Sequence, residues 1–309
     1  MLNHITARIM EVVVLDSKVV DSRDPPSPDE DVSMSAIVTS TTAEIETTLE
    51  PTGVATLKLR NKTMSPAFFA EFERALDDLD ASPDLRALVI RGADPKAFSY
   101  GLDLPKAIAA YGELFRGSAT AGPRHQSMRL IKTLQRPFDR LFHLRVPTIC
   151  AIHGHCIGGG LDLASACDIR LASKEASISL RETRIAIVAD LGSLQRLPPI
   201  IGQGRTRELA FTGRDVSADD ALAMNLVNAV HETPDALFGA AQAMARLIAD
   251  NPPRTVEGVK VVLNRPLEAA HADGLDHVAT WNSAFLASED LGEAVSAFAA
   301  RRPARFKGR

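Results

Sequence analysis

Three carboxylates follow a glycine-rich turn near the middle of this chain. The turn is Gly158-Gly159-Gly160, and Asp162, Glu182 and Asp190 come after it. Asp190 lies within the apolar run 185–191, where a charge is costly unless it is paired, hydrogen-bonded or functional. Carboxyl groups are among the side chains that transfer protons in general acid–base catalysis. The pattern therefore suggests proton transfer next to a carbonyl group that the turn would hold.

Two strands, a turn and the start of a helix are expected to position these acids. The apolar run 146–153 is rich in β-branched residues and predicts a buried strand, and 176–180 predicts a second strand before Glu182. The glycines allow a tight turn that a ligand can approach closely. Residues 161–167 have helical spacing, so the turn presents free backbone N–H groups at the positive end of a helix. Such a place stabilises an anion or a developing oxyanion.

Two segments resemble the signature sequences of the crotonase, or enoyl-CoA hydratase/isomerase, superfamily. One is HGHCIGGGLDL at 153–163 and the other is KAFSYGLDL at 96–104. Within the superfamily the resemblance is greatest to the Δ3,5-Δ2,4-dienoyl-CoA isomerases, which carry Asp after the glycines and an Ala-Asp pair where hydratases carry Pro-Gly. Here these are Asp162 and Ala189-Asp190. The resemblance extends from about residue 50 to the C-terminus.

The resemblance implies an isomerase that converts 3,5-dienoyl-CoA into 2,4-dienoyl-CoA, an auxiliary step of fatty acid β-oxidation. It implies that Glu182 is the base at C2, that Asp190 is the acid at C6, and that Asp162 tunes its neighbours. The backbone N–H groups of Leu102 and Gly159 are implied to form the oxyanion hole. No cofactor is implied, because CoA is part of the substrate.

Other residues are expected to bind the substrate. The ring of Tyr100 either narrows the acyl tunnel or is half-buried with a solvated hydroxyl. The basic tail 304–309 either meets the 3′-phosphate or pyrophosphate of CoA or is frayed and solvated. The expected substrate-binding set is Lys96, Tyr100, Gly101, Gly158, Arg305 and Lys307.

Each acid also has a purely structural interpretation. Asp162 would stabilise the first turn of its own helix. Glu182 would be a solvated loop acid beside two arginines. Asp190 would be the N-cap of a helix at 191–197. Taken together with the two family segments, the three acids favour catalysis.

Two other functions fit the same residues. A 2-enoyl-CoA hydratase would use two carboxylates to position a water at C3, which leaves Asp190 without a role. A crotonase-fold scaffold or RNA-binding protein would not turn over substrate, and the acids and the lack of a Lys-rich helix argue against it. A metal site is not expected, because His153, His155, Cys156 and Asp162 do not have the spacing of a closed tetrahedral site.

Composition limits the partners. The chain has 309 residues, of which 45% are hydrophobic and 24% charged, and its formal net charge is −4. This composition disfavours general binding to nucleic acid or to a membrane surface. Three clustered cysteines, Cys150, Cys156 and Cys167, make a poor disulfide framework and favour a reducing compartment. Since no secretory, transit or peroxisomal signal is recognised, a cytoplasmic location is expected.

The expected fold class is α/β, a crotonase fold in which a spiral core of repeated ββα units precedes a helical region that trimerises. We predict a disordered extension at 1–50, a core with the CoA-ester site at 51–240, and a helical C-terminal region at 241–309. The last region is predicted to include separate helices at 255–263 and 277–287. The resemblance implies a homotrimer or a dimer of trimers.

Overall fold

Two β-sheets form the frame of the fold. Residues 38–115 and 120–309 are described by a computed structural model. The strands in these ranges are β1 (Val38–Thr41), β2 (Ile45–Leu49), β3 (Val54–Leu59), β4 (Ala87–Gly92), β5 (Ala97–Ser99), β6 (Thr148–Ile152), β7 (His155–Ile157), β8 (Ile169–Ser173), β9 (Ser177–Ser179), β10 (Val216–Ser217) and β11 (Ala229–His231). One sheet has the order β1-β2-β3-β4-β6-β8-β11, and the other has the order β10-β9-β7-β5.

Helices follow and cover the strands. They are α1 (Pro66–Ala81), α2 (Leu104–Phe115), α3 (Ala121–Phe142), α4 (Gly159–Ala166), α5 (Ser193–Ile201), α6 (Gln203–Thr212), α7 (Ala218–Ala223), α8 (Pro234–Ala249), α9 (Pro253–Phe285) and α10 (Glu289–Ala299), with a 3-10 helix at Glu182–Ile185. None of the helices in the described ranges is both long and apolar enough to cross a membrane. Within the same ranges, no three His, Cys, Asp or Glu side chains are grouped so that they could hold a metal ion.

Successive strands alternate between the two sheets. β4, β6 and β8 lie in the large sheet, and the strand after each of them, β5, β7 or β9, lies in the small sheet. A helix follows the second strand of each pair, which confirms the predicted ββα spiral. β5, β7 and β9 pair in parallel, so the loops after all three strands meet at one edge of the small sheet.

α1 illustrates how the sequence sets the packing. The Ser65 hydroxyl accepts a hydrogen bond from the Ala67 N–H at 3.2 Å, and Pro66 occupies the first helical position. Phe68 and Phe72 are buried and stack with their ring centroids 5.2 Å apart. Full burial of each such ring contributes roughly 1.5–3 kcal/mol. α1 thereby packs against β2 of the large sheet and against α3.

The predicted boundary of the extension is wrong for residues 38–49. These residues form β1 and β2, and β2 pairs antiparallel with β3. The polar threonines concealed a β-strand pattern, in which Ile45 and Thr47 point inward on alternate positions. Residues 1–37, including most of the predicted extension, lie outside the described residues. The division between core and C-terminal region at 240 stays a prediction.

The C-terminal region differs from the prediction in its helix boundaries. The two predicted helices at 255–263 and 277–287 are parts of one helix, α9, which continues through Pro266. The polar middle of α9 has contacts that its sequence does not reveal. Gln135 of α3 donates to the Leu275 carbonyl at 3.2 Å, and Asn264 donates to the Phe142 carbonyl at 3.3 Å. α2 was not predicted at all from its Gly- and Ala-containing sequence.

Candidate active site

The site lies where the ends of the three parallel strands of the small sheet meet. The chain after β5 supplies Gly101 and Leu102, the chain after β7 supplies the glycine turn, and the chain after β9 supplies Glu182. Asp162 comes from α4, which begins at that turn. Asp190 comes from the loop before α5. The structure thus brings together the three acids and the two predicted oxyanion segments.

Two backbone N–H groups lie side by side at the bottom of the site. Gly101 has φ +76°, and a Cβ there would lie 2.8 Å from the Gly159 nitrogen. A Cβ on Gly159 would lie 3.7 Å from the Leu102 nitrogen. Leu102 forms an isolated β-bridge with Met64, but the Leu102 N–H takes no part in its hydrogen bonds. The Met64 N–H instead donates to the Gly101 carbonyl at 2.8 Å. Within the described residues, the N–H groups of Leu102 and Gly159 therefore remain free for a ligand.

Gly158 lets the Glu182 carboxyl group approach the turn. Its φ is +55°, and a Cβ there would lie 3.0 Å from Glu182 Oε1. The Gly158 N–H donates to the Ser179 carbonyl at 2.9 Å, which links the turn to β9. A glycine is needed here both for the backbone conformation and for the space that the carboxyl group occupies.

Glu182 is not the solvated loop acid of the structural interpretation. The arginines beside it are engaged elsewhere: Arg181 with Asp215, and Arg184 with the Thr212 carbonyl at 3.4 Å. Although the residue as a whole is half-buried, its Oε2 is buried and has no hydrogen-bond partner among the described residues. Burial and then the negative charge of Asp162 raise the pKa of Glu182 well above its ordinary value. A carboxyl group of this kind is a strong base when it is ionised.

Asp190 is not the N-cap of α5, because that position is taken by Gly192. Its Oδ2 instead accepts a hydrogen bond from Asn282 Nδ2 at 2.7 Å, and its carbonyl accepts one from Gln135 Nε2 at 2.8 Å. Burial raises the pKa of Asp190 to about 7; the Asn282 hydrogen bond opposes the rise and the charge of Asp162 adds to it. The carboxyl group can therefore carry a proton near neutral pH.

Asp162 lies in the first turn of α4, as the structural interpretation expected, but its side chain also binds the start of α5. Its side chain is buried, and Oδ1 accepts a hydrogen bond from the Ser193 N–H at 2.7 Å, at the start of α5. Burial raises the pKa of Asp162, and Ser193 and the charge of Arg196 oppose the rise. Asp162 in turn raises the pKa of both Glu182 and Asp190. The three acids are one electrostatic unit.

An apolar cavity of about 540 Å³ opens beside the oxyanion donors. Leu102, Ile108, Ile187, Leu291 and Val295 contribute to its wall. These side chains come from the chain after β5, from α2, from the loop after Glu182 and from α10. A cavity of this size and character suits a hydrocarbon chain whose carbonyl group lies at the two N–H groups.

The remaining predicted substrate-binding residues lie outside this cavity. Lys96 is exposed, and the Lys96 carbonyl accepts a hydrogen bond from the His155 N–H at 3.1 Å. The half-buried ring of Tyr100 lies 5.3 Å from the ring of the exposed His155 and is not part of the cavity wall. Tyr100 thus matches the alternative of a half-buried ring rather than a narrowed tunnel.

The C-terminal tail is docked rather than frayed. The Lys307 and Gly308 N–H groups donate to the two carboxylate oxygens of Asp290 at 2.6 and 2.8 Å, and the Arg305 N–H donates to Glu293 at 2.8 Å. The side chains of Arg305 and Lys307 are exposed. The tail therefore presents basic groups along α10, a helix that also lines the cavity.

Four residues that hold the acids were missed by the sequence analysis: Gln135, Ser193, Arg196 and Asn282. The sequence offered one signal for Asn282, a polar side chain between the aromatic residues Trp281 and Phe285 of α9. The others act through backbone groups of the loop 190–193. Such contacts leave no recognisable spacing in the sequence.

The fold and the site define an enzyme that stabilises an oxyanion and transfers protons with carboxyl groups. Residues 50–309 match the family model described as enoyl-CoA hydratase/isomerase. The chain belongs to this family.

Relatives of known name support the assignment. The chain is 43% identical over 243 residues to the peroxisomal Δ3,5-Δ2,4-dienoyl-CoA isomerase of Arabidopsis thaliana, which covers 79% of this chain and 87% of that protein. It is 38% identical over 248 residues to the mitochondrial protein of that name in Dictyostelium discoideum, covering 79% and 83%. In fold it is similar to an enoyl-CoA hydratase from Mycobacterium avium subsp. paratuberculosis, with a TM-score of 0.73, 22% identity and coverage of 86% and 100%.

The expected cytoplasmic location is wrong by this comparison. The relatives from Arabidopsis and Dictyostelium are named as peroxisomal and mitochondrial proteins. Reducing conditions inferred from three cysteines do not distinguish among these compartments. The three cysteines are free and buried, which fits their role as small core side chains.

Proposed function

We propose that this protein is a Δ3,5-Δ2,4-dienoyl-CoA isomerase. The observation that carries the proposal is a third acid, the half-buried Asp190, held by Asn282 next to the pair Asp162 and Glu182. A hydratase needs only two carboxylates for its water and leaves Asp190 without a task. The names of the relatives from Arabidopsis and Dictyostelium support the same reaction.

The reaction begins with the thioester carbonyl at the N–H groups of Leu102 and Gly159. Glu182 removes a proton from C2, and the electrons of that C–H bond move to the carbonyl oxygen. The two N–H groups stabilise the negative charge, and one such donor typically lowers the barrier by roughly 2.7–4 kcal/mol. The resulting dienolate spreads its charge to C4 and C6.

The second proton transfer needs a second acid. Asp190 donates a proton to C6, the double bonds move to C2=C3 and C4=C5, and the 2,4-dienoyl thioester is formed. C2 and C6 are four bonds apart, so one carboxyl group within hydrogen-bond reach of C2 does not serve C6 without moving. One proton leaves and one enters, so the proposed reaction needs no cofactor.

The acids are expected to titrate together. Burial raises the pKa of both Glu182 and Asp190, and Asp162 raises both further. Turnover needs one ionised and one protonated member of this pair. Activity should therefore fall at low pH, where both carry protons, and at high pH, where both are ionised. The two limbs belong to the pair rather than to single residues.

An absorbance assay tests the proposed function. A 3,5-dienoyl-CoA ester should give the ultraviolet absorbance of a conjugated 2,4-dienoyl thioester. Loss of absorbance from a 2-enoyl-CoA ester, with no reaction of the dienoyl ester, would instead establish a hydratase. No change with either ester would favour a non-catalytic scaffold.

We further propose that the basic tail binds the phosphates of CoA. Arg309 Nε lies 3.1 Å from Glu289, a residue of the cavity wall, so the tail lies close to that rim. Removal of residues 304–309 should raise KM for the CoA ester while kcat changes little, because the acids stay in place. Steady-state kinetics at several salt concentrations would measure this effect. An unchanged KM would reject the phosphate contact.

We also propose that the protein assembles as a homotrimer or a dimer of trimers. Large apolar side chains are exposed on the last two helices, including Trp281, Phe285 and Phe298. Exposed apolar side chains that lie together are typical of surfaces that another protein chain covers. Light scattering at micromolar concentration should give a mass of three or six chains. A mass of one chain would contradict the assembly.

A further inference from the structure

Arg196 lies behind the loop that carries Asp190. Its side chain is only 4% exposed, and Nη1 donates to the Leu191 carbonyl at 2.9 Å. The guanidinium group packs directly against Cα of Gly192, which has φ +115°. A side chain at position 192 would displace the guanidinium group, so Gly192 and Arg196 form a matched pair.

The loop 190–193 is held at each of its positions. Asn282 and Gln135 hold Asp190, Arg196 holds Leu191 and Gly192, and the Ser193 N–H holds Asp162. The loop therefore fixes Asp190 relative to Asp162. Arg196 is the one cation among these contacts, whereas the others are neutral groups.

Arg196 is a buried charge with no carboxylate within 4 Å among the described residues. Its Nη2 lies 3.4 Å from His271 Nε2, which in turn lies 3.1 Å from Asp139 Oδ1. Burial lowers the pKa of Arg196 to about 10, and the charges of Asp162 and Asp139 oppose this change. The guanidinium group stays charged at neutral pH, between Asp162 in the active site and Asp139 near the surface.

We propose that Arg196 is a positioning residue, which fixes the loop 190–193 and favours the ionised form of Asp162, and that His271 packs against it from the outer side. The inference rests on the proposed isomerase function. In this role Arg196 contacts neither substrate nor the reacting atoms. It acts on the second proton transfer through Asp190 and on the charge of the site through Asp162.

The charge effect has a definite sign. Without the cation, Asp162 takes up a proton more readily and repels Asp190 less, so the pKa of Asp190 falls. The titratable groups that face Asp162 are Glu182 and Cys156, and Glu182 also faces Asp190. Those that face Arg196 are Asp139, His271 and Cys167. His143 lies on the far side of Asp139. The high-pH limb of the activity profile should therefore move to lower pH.

Substitution of Arg196 tests the proposal through two reactions of one substrate. Arg196→Gln should lower isomerisation of a 3,5-dienoyl-CoA by about 10²-fold, since small misplacement of a reacting group has effects of that order. Exchange of the C2 proton with deuterated solvent should change far less, because Glu182 and the oxyanion donors lie outside the loop. Arg196→Lys keeps the charge but loses the planar fork, so it should retain the position of the high-pH limb. His271→Phe should change the isomerisation-to-exchange ratio in the same direction but less.

Arg170 provides a matched control. It is also a buried arginine that donates to backbone carbonyls, those of Leu226 and Cys167, but it has no contact with the loop 190–193. Arg170→Gln should lower the melting temperature and leave the isomerisation-to-exchange ratio unchanged. If Arg196→Gln also leaves this ratio and the high-pH limb unchanged, Arg196 only contributes packing and the proposal is overturned.

A stability measurement separates this inference from the proposed function. Wild-type enzyme that neither isomerises nor exchanges would refute the isomerase but would not decide the role of Arg196. Melting temperatures of Arg196→Gln, Asp162→Asn and the double variant then decide it. Losses that are clearly less than additive support the coupling of Arg196 to Asp162, and additive losses overturn it.

Discussion

Glu182→Gln should abolish both isomerisation and exchange of the C2 proton with solvent. The glutamine keeps the size of the side chain beside Gly158 but has no basic oxygen that can accept the proton. General bases typically contribute about 10²–10⁴-fold, and isomerisation should fall by an amount in this range. Absorbance at the 2,4-dienoyl wavelength and mass spectrometry of substrate recovered from deuterated solvent would measure the two losses.

The variant should bind substrate normally. The oxyanion donors are backbone groups of Leu102 and Gly159, and the apolar cavity does not include Glu182. Removal of the negative charge should also stabilise the fold slightly, because Glu182 Oε2 is buried and has no hydrogen-bond partner among the described residues. A surface change, Glu208→Gln, is the control for the substitution itself, since Glu208 pairs with Arg214 on an exposed face. Retained C2 exchange in Glu182→Gln would assign the base to another group.

The parts of the fold that the sequence predicted are those with a local signal. The predicted strands at 146–153 and 176–180 and the predicted helix at 161–167 agree with β6, β9 and α4 within a few residues. β1 and β2 were missed because threonines masked their alternation. α9 was divided in two because the reason for its polar middle lies in contacts with α3, which are distant in sequence.

The site residues were likewise predictable where they carry a local signal in the sequence. Asp162, Leu102 and Gly159 belong to the two segments at 96–104 and 153–163, whose order of residues is distinctive, so the sequence places them together. The sequence allowed two interpretations of Asp190, a helix N-cap and a catalytic acid, and only the long-range hydrogen bond from Asn282 distinguishes them. An N-cap and a buried acid look alike in sequence, because both are an Asp a few residues before a helix.

The environment of the acids was also beyond the sequence. Burial depends on residues from α3, α5 and α9 that cover the loop 190–193. The resemblance implied that Asp162 tunes its neighbours, but the sequence did not reveal Arg196, whose charge opposes the rise in the pKa of Asp162. The balance between these effects decides which acid carries the proton.

Asp190→Asn should separate the two proton transfers. Asparagine cannot deliver a proton to C6 as a carboxylic acid does, so isomerisation should fall by about 10²–10⁴-fold. Exchange at C2 should continue, because Glu182 and both oxyanion donors remain. The loss of one acid also removes repulsion from Glu182, whose pKa should fall. Exchange should then rise with pH through a single ionisation, at lower pH than in the wild type.

The exposed Asp219, which pairs with Lys174, provides the matched Asp→Asn control. That control should keep the wild-type isomerisation rate and a profile with two limbs. In Asp190→Asn, C2 exchange should show only a low-pH limb, since this step needs an ionised Glu182 and no protonated partner. Wild-type isomerisation by Asp190→Asn would show that Asp190 is not the acid and would favour the hydratase. Equal loss of exchange in Asp190→Asn and Glu182→Gln would show that the two acids act as one coupled unit, and separate roles would then be withdrawn.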